Sequence, residues 1–351
     1  MALYQYSLLT ADAQVSLARQ VIATGRLGSI GGMRVPQFEA AVAARIGRAH
    51  ATAMASATAA LEVTLRALNV GPGCEVVIPA LGWISLGAAV TATGASVRVA
   101  STREHLTPSF EDVAHLLTAD TRAVVIAHLR GWTAPDIARI AAELRRRGIP
   151  LIEDCAQAWG APGAGSYGTA AFFSTQTYKV VATGEGGLAL CDDPELASRI
   201  RALAGDTRVR TPTPLWRGNA RMPEISAALA LPQLDQLDDL VQELRSLQRP
   251  AAELLSTIGT VLPGDLDAGN GTHVGVWLDT PAAAEAFSSR LADLHCWRPT
   301  VGDLHTCAAW PVDTQAGGWD RYLDIQIPYT DRHARRAFLD CLRRAIKGVQ
   351  A

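Results

Sequence analysis

Ile152-Glu153-Asp154-Cys155-Ala156-Gln157 closes a short apolar run that opens at Pro150. Upstream, Ala123-Val-Val-Ile-Ala-His128 is a second apolar, β-branched run. Between them, Pro135 to Arg147 has the period of a helix with charge on one face. Strand, helix and strand in that order predict two parallel neighbours joined by a crossover. The alternation extends backwards through strands at Ala51–Ala55, Glu75–Pro79 and Ser96–Ala100. Helices are expected from Ser56 to Leu68, from about Ile84, and from Ser109 to Leu117. Downstream, Phe172-Phe173 and Gly187-Leu-Ala-Leu-Cys191 read as an antiparallel pair. The fold class is α/β: a mostly parallel sheet covered on both faces. Such sheets collect ligands at the carboxyl ends of their strands. Asp154 and the turn Ser56–Thr58 both lie at such ends.

The flanks complete the layout. Residues 11–25 look helical and lead into the glycine-rich turn Gly25–Gly32, and Phe38 to Ile46 reads as an amphipathic helix. Pro194 to Ala204 is helical. Pro223 to about Arg249 is a longer helical stretch, in which Pro232 is expected to start or kink a turn. Strands at His273–Leu278 and Tyr322–Ile327, with helices at Pro281–Leu294 and Asp331–Ile346, predict a smaller α+β domain. The expected division is an N-terminal helical arm (1–30), a large domain (31–240) and a small C-terminal domain (241–351).

Composition narrows the function. With 48% hydrophobic residues, a sizeable core can form, and 32 basic against 34 acidic residues leave no basic excess for nucleic acid or an anionic membrane. Met1-Ala-Leu-Tyr-Gln-Tyr lacks the pattern of a signal peptide, so a cytoplasmic protein is expected. The six cysteines form no Cys-x-x-Cys pair and match no zinc module, so reduced thiols and no metal are expected.

Chemistry concentrates around Lys179. It follows Phe172-Phe173-Ser174-Thr175-Gln176-Thr177-Tyr178 and precedes Thr183-Gly184-Glu185-Gly186-Gly187. A strand-end acid, a hydroxyl-rich turn, and a lysine followed by glycines fit pyridoxal 5′-phosphate (PLP). The lysine amine forms a Schiff base with the cofactor aldehyde. A carboxylate keeps the pyridine nitrogen protonated, and hydroxyls with backbone N–H groups hold the phosphate. Alternation along the strand puts Glu153 and Asp154 on opposite faces.

These residues resemble the DegT/DnrJ/EryC1/StrS family of PLP-dependent sugar aminotransferases, from about Gly25 to about Leu240. The resemblance implies the fold-type I transferase architecture. It makes Lys179 and Asp154 the catalytic pair, with Asp154 on the pyridine nitrogen. It puts Gln157 near the phenolic oxygen, Ser174, Thr58 and the Ala59 N–H on the phosphate, and Trp83 stacked on the ring. Asn219 is implied to reach the phosphate of a neighbouring subunit, hence a homodimer with shared sites. Trp159, Tyr178 and Arg221 are expected at the substrate.

Several positions depart from the family pattern. Ala57 stands for a glycine, Trp159 for a histidine, Arg130-Gly-Trp132 for a Tyr-Gly-Gln-like triplet, and Ala220 for a tyrosine. Arg298-Pro-Thr-Val-Gly-Asp-Leu-His305 is only faintly like the family's segment. The leading expectation is amino transfer from L-glutamate or L-glutamine to a keto sugar, cyclitol or related ketone. Elimination, racemisation or carbon–carbon chemistry on an amino-acid-like substrate stays open, kept so by Trp132 and Trp159. A PLP-binding regulator is the third option, and no DNA-binding segment accompanies it.

Overall fold

The computed structural model describes residues 11–102, 105–210, 218–291, 296–297, 319–329 and 332–350. The chain runs α1 (Ala11–Thr24), α2 (Arg34–Ile46), β1 (His50–Met54), α3 (Ala57–Ala67), β2 (Glu75–Pro79), α4 (Ser85–Ala92) and β3 (Ser96–Ala100). It continues through α5 (Phe110–Ala114), β4 (Thr121–Ala127), α6 (Ile137–Arg146), β5 (Leu151–Asp154), β6 (Ala170–Ser174), β7 (Gly187–Cys191) and α7 (Pro194–Leu203). The seven strands form one sheet in the order β1-β7-β6-β5-β4-β2-β3. Only β7 runs against the rest, pairing antiparallel with β1 and β6. Alternate side chains enter different cores. Val76, Ile78, Ala123 and Val125 pack with α3 and α4, while Val77, Val124 and Ile126 pack with α6. Both faces are covered, which is why these strands read as unbroken apolar runs.

The chain then forms α8 (Glu224–Asp235) and α9 (Leu237–Leu255), followed by β8 (Thr260–Leu262), β9 (His273–Trp277), α10 (Pro281–Arg290), β10 (Cys296–Trp297), β11 (Tyr322–Gln326) and α11 (Arg332–Gln350). These four strands make an antiparallel sheet, β10-β11-β9-β8, backed by a separate core around Phe287, Phe338 and Leu342. Helix α9 joins the two units. Leu237 and Val241 pack in the large-domain core, and Leu244, Ala251 and Leu255 in the small one.

The expectation for Pro232 fails. It lies inside α8, and the helix breaks later, at Gln236. A proline in a helix forfeits one backbone hydrogen bond. Here the buried Ala227, Ala228, Ala230 and Leu234 hold the segment helical through it.

The start of α2 is capped from a distance. The buried Glu224 carboxylate accepts backbone N–H groups from Met33 (2.8 Å), Arg34 (2.6 Å) and Val35 (2.8 Å). An acid at a helix N-terminus satisfies orphan donors and matches the helix dipole. Gly32 is needed there, because a Cβ would lie 2.1 Å from the Glu224 carboxyl carbon. Glu224→Ala should therefore destabilise the fold by about 2 kcal/mol, as the buried Val35 donor and the partly buried Met33 and Arg34 donors lose their acceptor. Urea denaturation checks this, and a change within about 0.5 kcal/mol would contradict it.

Candidate functional site

The site is built on the carboxyl ends of β4, β5 and β6. Ala127, Asp154 and Phe172 are in register across them. On the far face of β5, the buried Glu153 carboxylate is fully engaged. It accepts N–H groups from Gly165 (2.9 Å), Tyr167 (2.7 Å) and Gly168 (2.6 Å), and it meets His128 Nε2 at 2.8 Å. Burial raises the carboxyl's proton affinity, but His128 and the backbone donors more than offset this, and Glu153 ends below its ordinary range. Glu153, His128 and Cys155 lie close enough for a metal. However, hydrogen bonds already account for the carboxylate, and burial keeps the Cys155 thiol protonated.

Asp154, also buried, faces the other way. Its Oδ1 accepts the Ala156 N–H at 2.9 Å. Burial pushes its carboxyl up, against the opposing pull of that bond, of Lys179 and of His128. A buried carboxylate in this state gains from a further cationic partner.

Lys179 sits on a closed turn between β6 and β7. The Thr175 N–H donates to Gly186 O (2.9 Å), Thr183 N–H to Thr175 O (2.7 Å), and Thr177 N–H to Gly184 O (2.8 Å). The Thr175 and Thr183 hydroxyls meet at 2.8 Å. Gly186 and Gly187 permit this closeness, since a Cβ would lie 2.3 Å from Thr175 Oγ1 or 2.4 Å from the Ala57 backbone nitrogen. The glycines thus press the lysine turn against the start of α3. Burial is the main cause of the lowered proton affinity of Lys179. Asp154 opposes it, and Arg130 adds to it.

The remaining expected residues divide. Ser174, buried at the end of β6, accepts the Gln176 N–H at 3.3 Å. Ser56, not Thr58, caps α3, its Oγ taking the Ala59 N–H at 3.0 Å, and Thr58 is exposed. An anion bound here would compete with Ser56 for that donor. Trp83, just before α4, is 71% exposed. Its bare indole suits a flat partner. Asn219 is also exposed. The Gln157 amide oxygen accepts the Arg130 backbone N–H at 2.7 Å, so it shapes the turn after β4. The Arg221 guanidinium donates to Gly205 O and holds a backbone loop. Tyr178 is 64% exposed, and its carbonyl accepts the Tyr329 hydroxyl from the small domain. The segment 298–305 lies outside the described residues.

The two indoles expected at the substrate require correction. Trp159 is 0% exposed, packs on Phe173 with centroids 4.7 Å apart, and donates Nε1–H to Ser174 O at 2.7 Å. It therefore supports the end of β6 from within the core. Trp132 is 6% exposed and packs with Leu81, Leu262 and Tyr322.

Sequence reasoning missed the junction between domains. Asn270 is buried and donates Nδ2–H to Gln157 O (3.1 Å) and Trp159 O (2.9 Å). The Thr272 hydroxyl donates to Arg130 O at 3.3 Å. Arg130 Nε meets Asp324 Oδ2 at 3.0 Å, with His273 Nε2 3.9 Å from the same oxygen. Asp324 is 1% exposed, and burial pushes its carboxyl up to about 6 despite Arg130 and Tyr322. The only signal in the sequence was the unusual Arg130-Gly-Trp132 triplet.

Comparison with known proteins gives the family. Residues 10–293 match the DegT/DnrJ/EryC1/StrS aminotransferase family. The chain belongs to that family. This family member is 33% identical to the GDP-perosamine synthase of Caulobacter vibrioides over 74% of its own length and 71% of the relative's. It is 36% identical to the L-glutamine:2-deoxy-scyllo-inosose aminotransferase of Streptoalloteichus tenebrarius, over 63% of its length and little more than half (55%) of the relative's. The solved structure of the aminotransferase TlmJ from Streptoalloteichus hindustanus superposes with a TM-score of 0.83 at 27% identity, covering 97% of each chain. The family member is a PLP-dependent aminotransferase of fold type I. Among its described residues, no helix is long and apolar enough to cross a membrane.

Asp324 gives a prediction for stability. The folded chain binds this proton more tightly than the unfolded chain, so the ionised carboxylate costs stability above pH 6 and the cost vanishes below the unfolded pKa. Between pH 7 and pH 4, wild type should gain on the order of 2 kcal/mol relative to Asp324→Asn. Denaturation at both pH values checks this, and a pH-independent difference would contradict it.

Proposed function

We propose that this aminotransferase takes an amino group from L-glutamate or L-glutamine and delivers it to a keto sugar, cyclitol or related ketone. The observation that carries the site assignment is the pairing of a half-buried lysine with a buried, up-shifted Asp154 at the carboxyl end of the sheet. PLP, when bound, supplies an electron sink that stabilises negative charge on the carbon beside the transferred nitrogen. The chain's own residues do the rest. Asp154 presents a carboxylate whose burial makes a protonated ring nitrogen a favourable partner. The lowered proton affinity of Lys179, caused mainly by burial, favours its amine as a nucleophile and as the group that carries a proton to or from the substrate carbon. Ser174 and the start of α3 offer a hydroxyl and backbone donors to the phosphate. The exposed Trp83 indole would cover a face of the cofactor ring, and Gln157 holds the turn after β4.

The acceptor class rests on the relatives, which act on a nucleotide-linked sugar and on a cyclitol ketone by name. Burial of Trp132 and Trp159 removes what had favoured non-transamination chemistry. We further propose a homodimer working in the cytoplasm. Exposed Leu27, Ile30, Met33, Trp83, Ile84 and Tyr178 support an apolar surface covered by a second copy, to which Asn219 would contribute.

The visible spectrum tests the first half-reaction. PLP-loaded protein should lose its long-wavelength absorbance on adding L-glutamate or L-glutamine and release the matching 2-oxo acid. Lys179→Ala should lower turnover at least a thousandfold. A PLP-loaded protein indifferent to both donors would refute the donor assignment.

A further inference from the structure

The small domain reaches the lysine turn on both sides of Lys179. Before it, the peptide that joins Tyr178 to Lys179 is engaged at both ends. The Lys179 N–H donates to Gln176 O at 2.9 Å, within the turn itself. The Tyr178 carbonyl accepts the hydroxyl of Tyr329, which follows β11 in the small domain. A peptide group is planar and carries the next Cα in its plane. Gripping its N–H and its oxygen therefore fixes where the lysine side chain leaves the backbone. After Lys179, Val180 packs against the small-domain core as well as the large-domain core. Val181 is buried in the large one. A further tie comes from α8, where the Gln233 amide accepts the Ala182 N–H (2.9 Å) and donates to Ala182 O (2.7 Å).

Tyr329 is itself anchored. Its ring is buried in the small-domain core. The carbonyls of Pro328 and Tyr329 both accept Nη1 of the buried Arg335, at 3.1 and 2.8 Å. Arg335 Nε in turn donates to Glu243 Oε1 on α9 at 2.9 Å. A buried guanidinium whose donors meet fixed acceptors holds a backbone segment closely. Each link from α9 and α11 to the lysine turn is thus a direct hydrogen bond. We infer that Tyr329 is a positioning residue for the reaction: its hydroxyl, anchored through the small domain, fixes the peptide before Lys179 and so the place from which the amine meets the cofactor. The inference rests on Lys179 being the cofactor-binding lysine. Tyr329 acts on the Tyr178 backbone, across 151 positions of sequence, so its effect reaches the amine through the turn. Placement matters because a misplacement of about 1 Å can cost two orders of magnitude in rate.

Tyr329→Phe removes the hydroxyl and keeps the buried ring. In full-length protein without PLP, hydrogen–deuterium exchange at the amides of residues 177–180 should rise about fivefold, and exchange in β9 and β11 should stay at the wild-type level. When PLP is then added, the variant should still capture it at Lys179. The rate of the absorbance rise at saturating PLP should fall about tenfold, with the half-saturating concentration within about twofold of wild type. The half-saturating concentration reports the noncovalent hold on the cofactor, whereas the saturated rate reports the placement of the amine. Unchanged exchange at the lysine turn, or an unchanged saturated rate, would overturn the proposal even where thermal stability falls, and would leave Tyr329 a structural tie. Should Tyr329→Phe not fold, Arg335→Lys carries the same comparison, because a lysine lacks the guanidinium fork that joins Glu243 to the two carbonyls. Wild-type protein that takes up PLP yet leaves Lys179 unmodified after borohydride reduction would instead refute the reading on which the proposal rests.

Discussion

Everything in the site depends on how β5 is pinned. Glu153 and Asp154 are adjacent, so the strand sends them to opposite faces. Glu153 meets three backbone donors and His128, an arrangement that holds an ionised carboxylate in the interior. Those donors lie on the loop that leads back into β6, so the same carboxylate fixes the return path of the chain. With that side saturated, Asp154 is left facing the carboxyl-end cleft with far fewer partners. A one-residue slip of β5 would exchange the two acids and abolish the site. One residue thus closes a structural network while its neighbour stays available for chemistry.

The second constraint is closeness of backbone. Gly186 and Gly187 bring the Lys179 turn onto the start of α3 at separations that no side chain permits. Helix α3 and the lysine turn come from distant parts of the sequence, joined through β1 and β7 as antiparallel neighbours. The antiparallel β7 in an otherwise parallel sheet is what places the lysine, the hydroxyl of Ser174 and the helix N-terminus around one volume.

Much of this was legible in the sequence. The apolar runs of β2, β4 and β5 and the intervening α6 are local patterns with one good solution, and the structure has them within a few residues of where periodicity puts them. Lys179, Asp154 and the glycines formed a motif whose residue types have few other joint uses. What could not be read was set by long-range packing. Trp159 was expected at the substrate from the family pattern, and Trp132 was the second unusual indole that kept other chemistry open. Whether an indole faces a cleft or a core depends on partners such as Phe173 and Tyr322, far away in the chain. Ser56 and Thr58 both carry a hydroxyl at the start of α3, and the backbone geometry makes Ser56 its cap. Pro232 carried a strong local signal for a break, overridden by burial of its neighbours. The Arg130–Asp324 tie joins residues nearly two hundred positions apart and leaves no periodic trace.

That tie also brings the small domain against the turns that frame the site. Asn270, Thr272, Asp324 and Tyr329 reach the turns carrying Gln157, Arg130 and Lys179.

The measurement closest to the central assignment is borohydride reduction of the PLP-loaded protein, followed by peptide mass analysis. With two lysines in the chain, the answer is unambiguous. The structure predicts the reduced cofactor on Lys179 and an unmodified Lys347. Cofactor on Lys347, or on neither lysine in a protein that has taken up PLP, would contradict it.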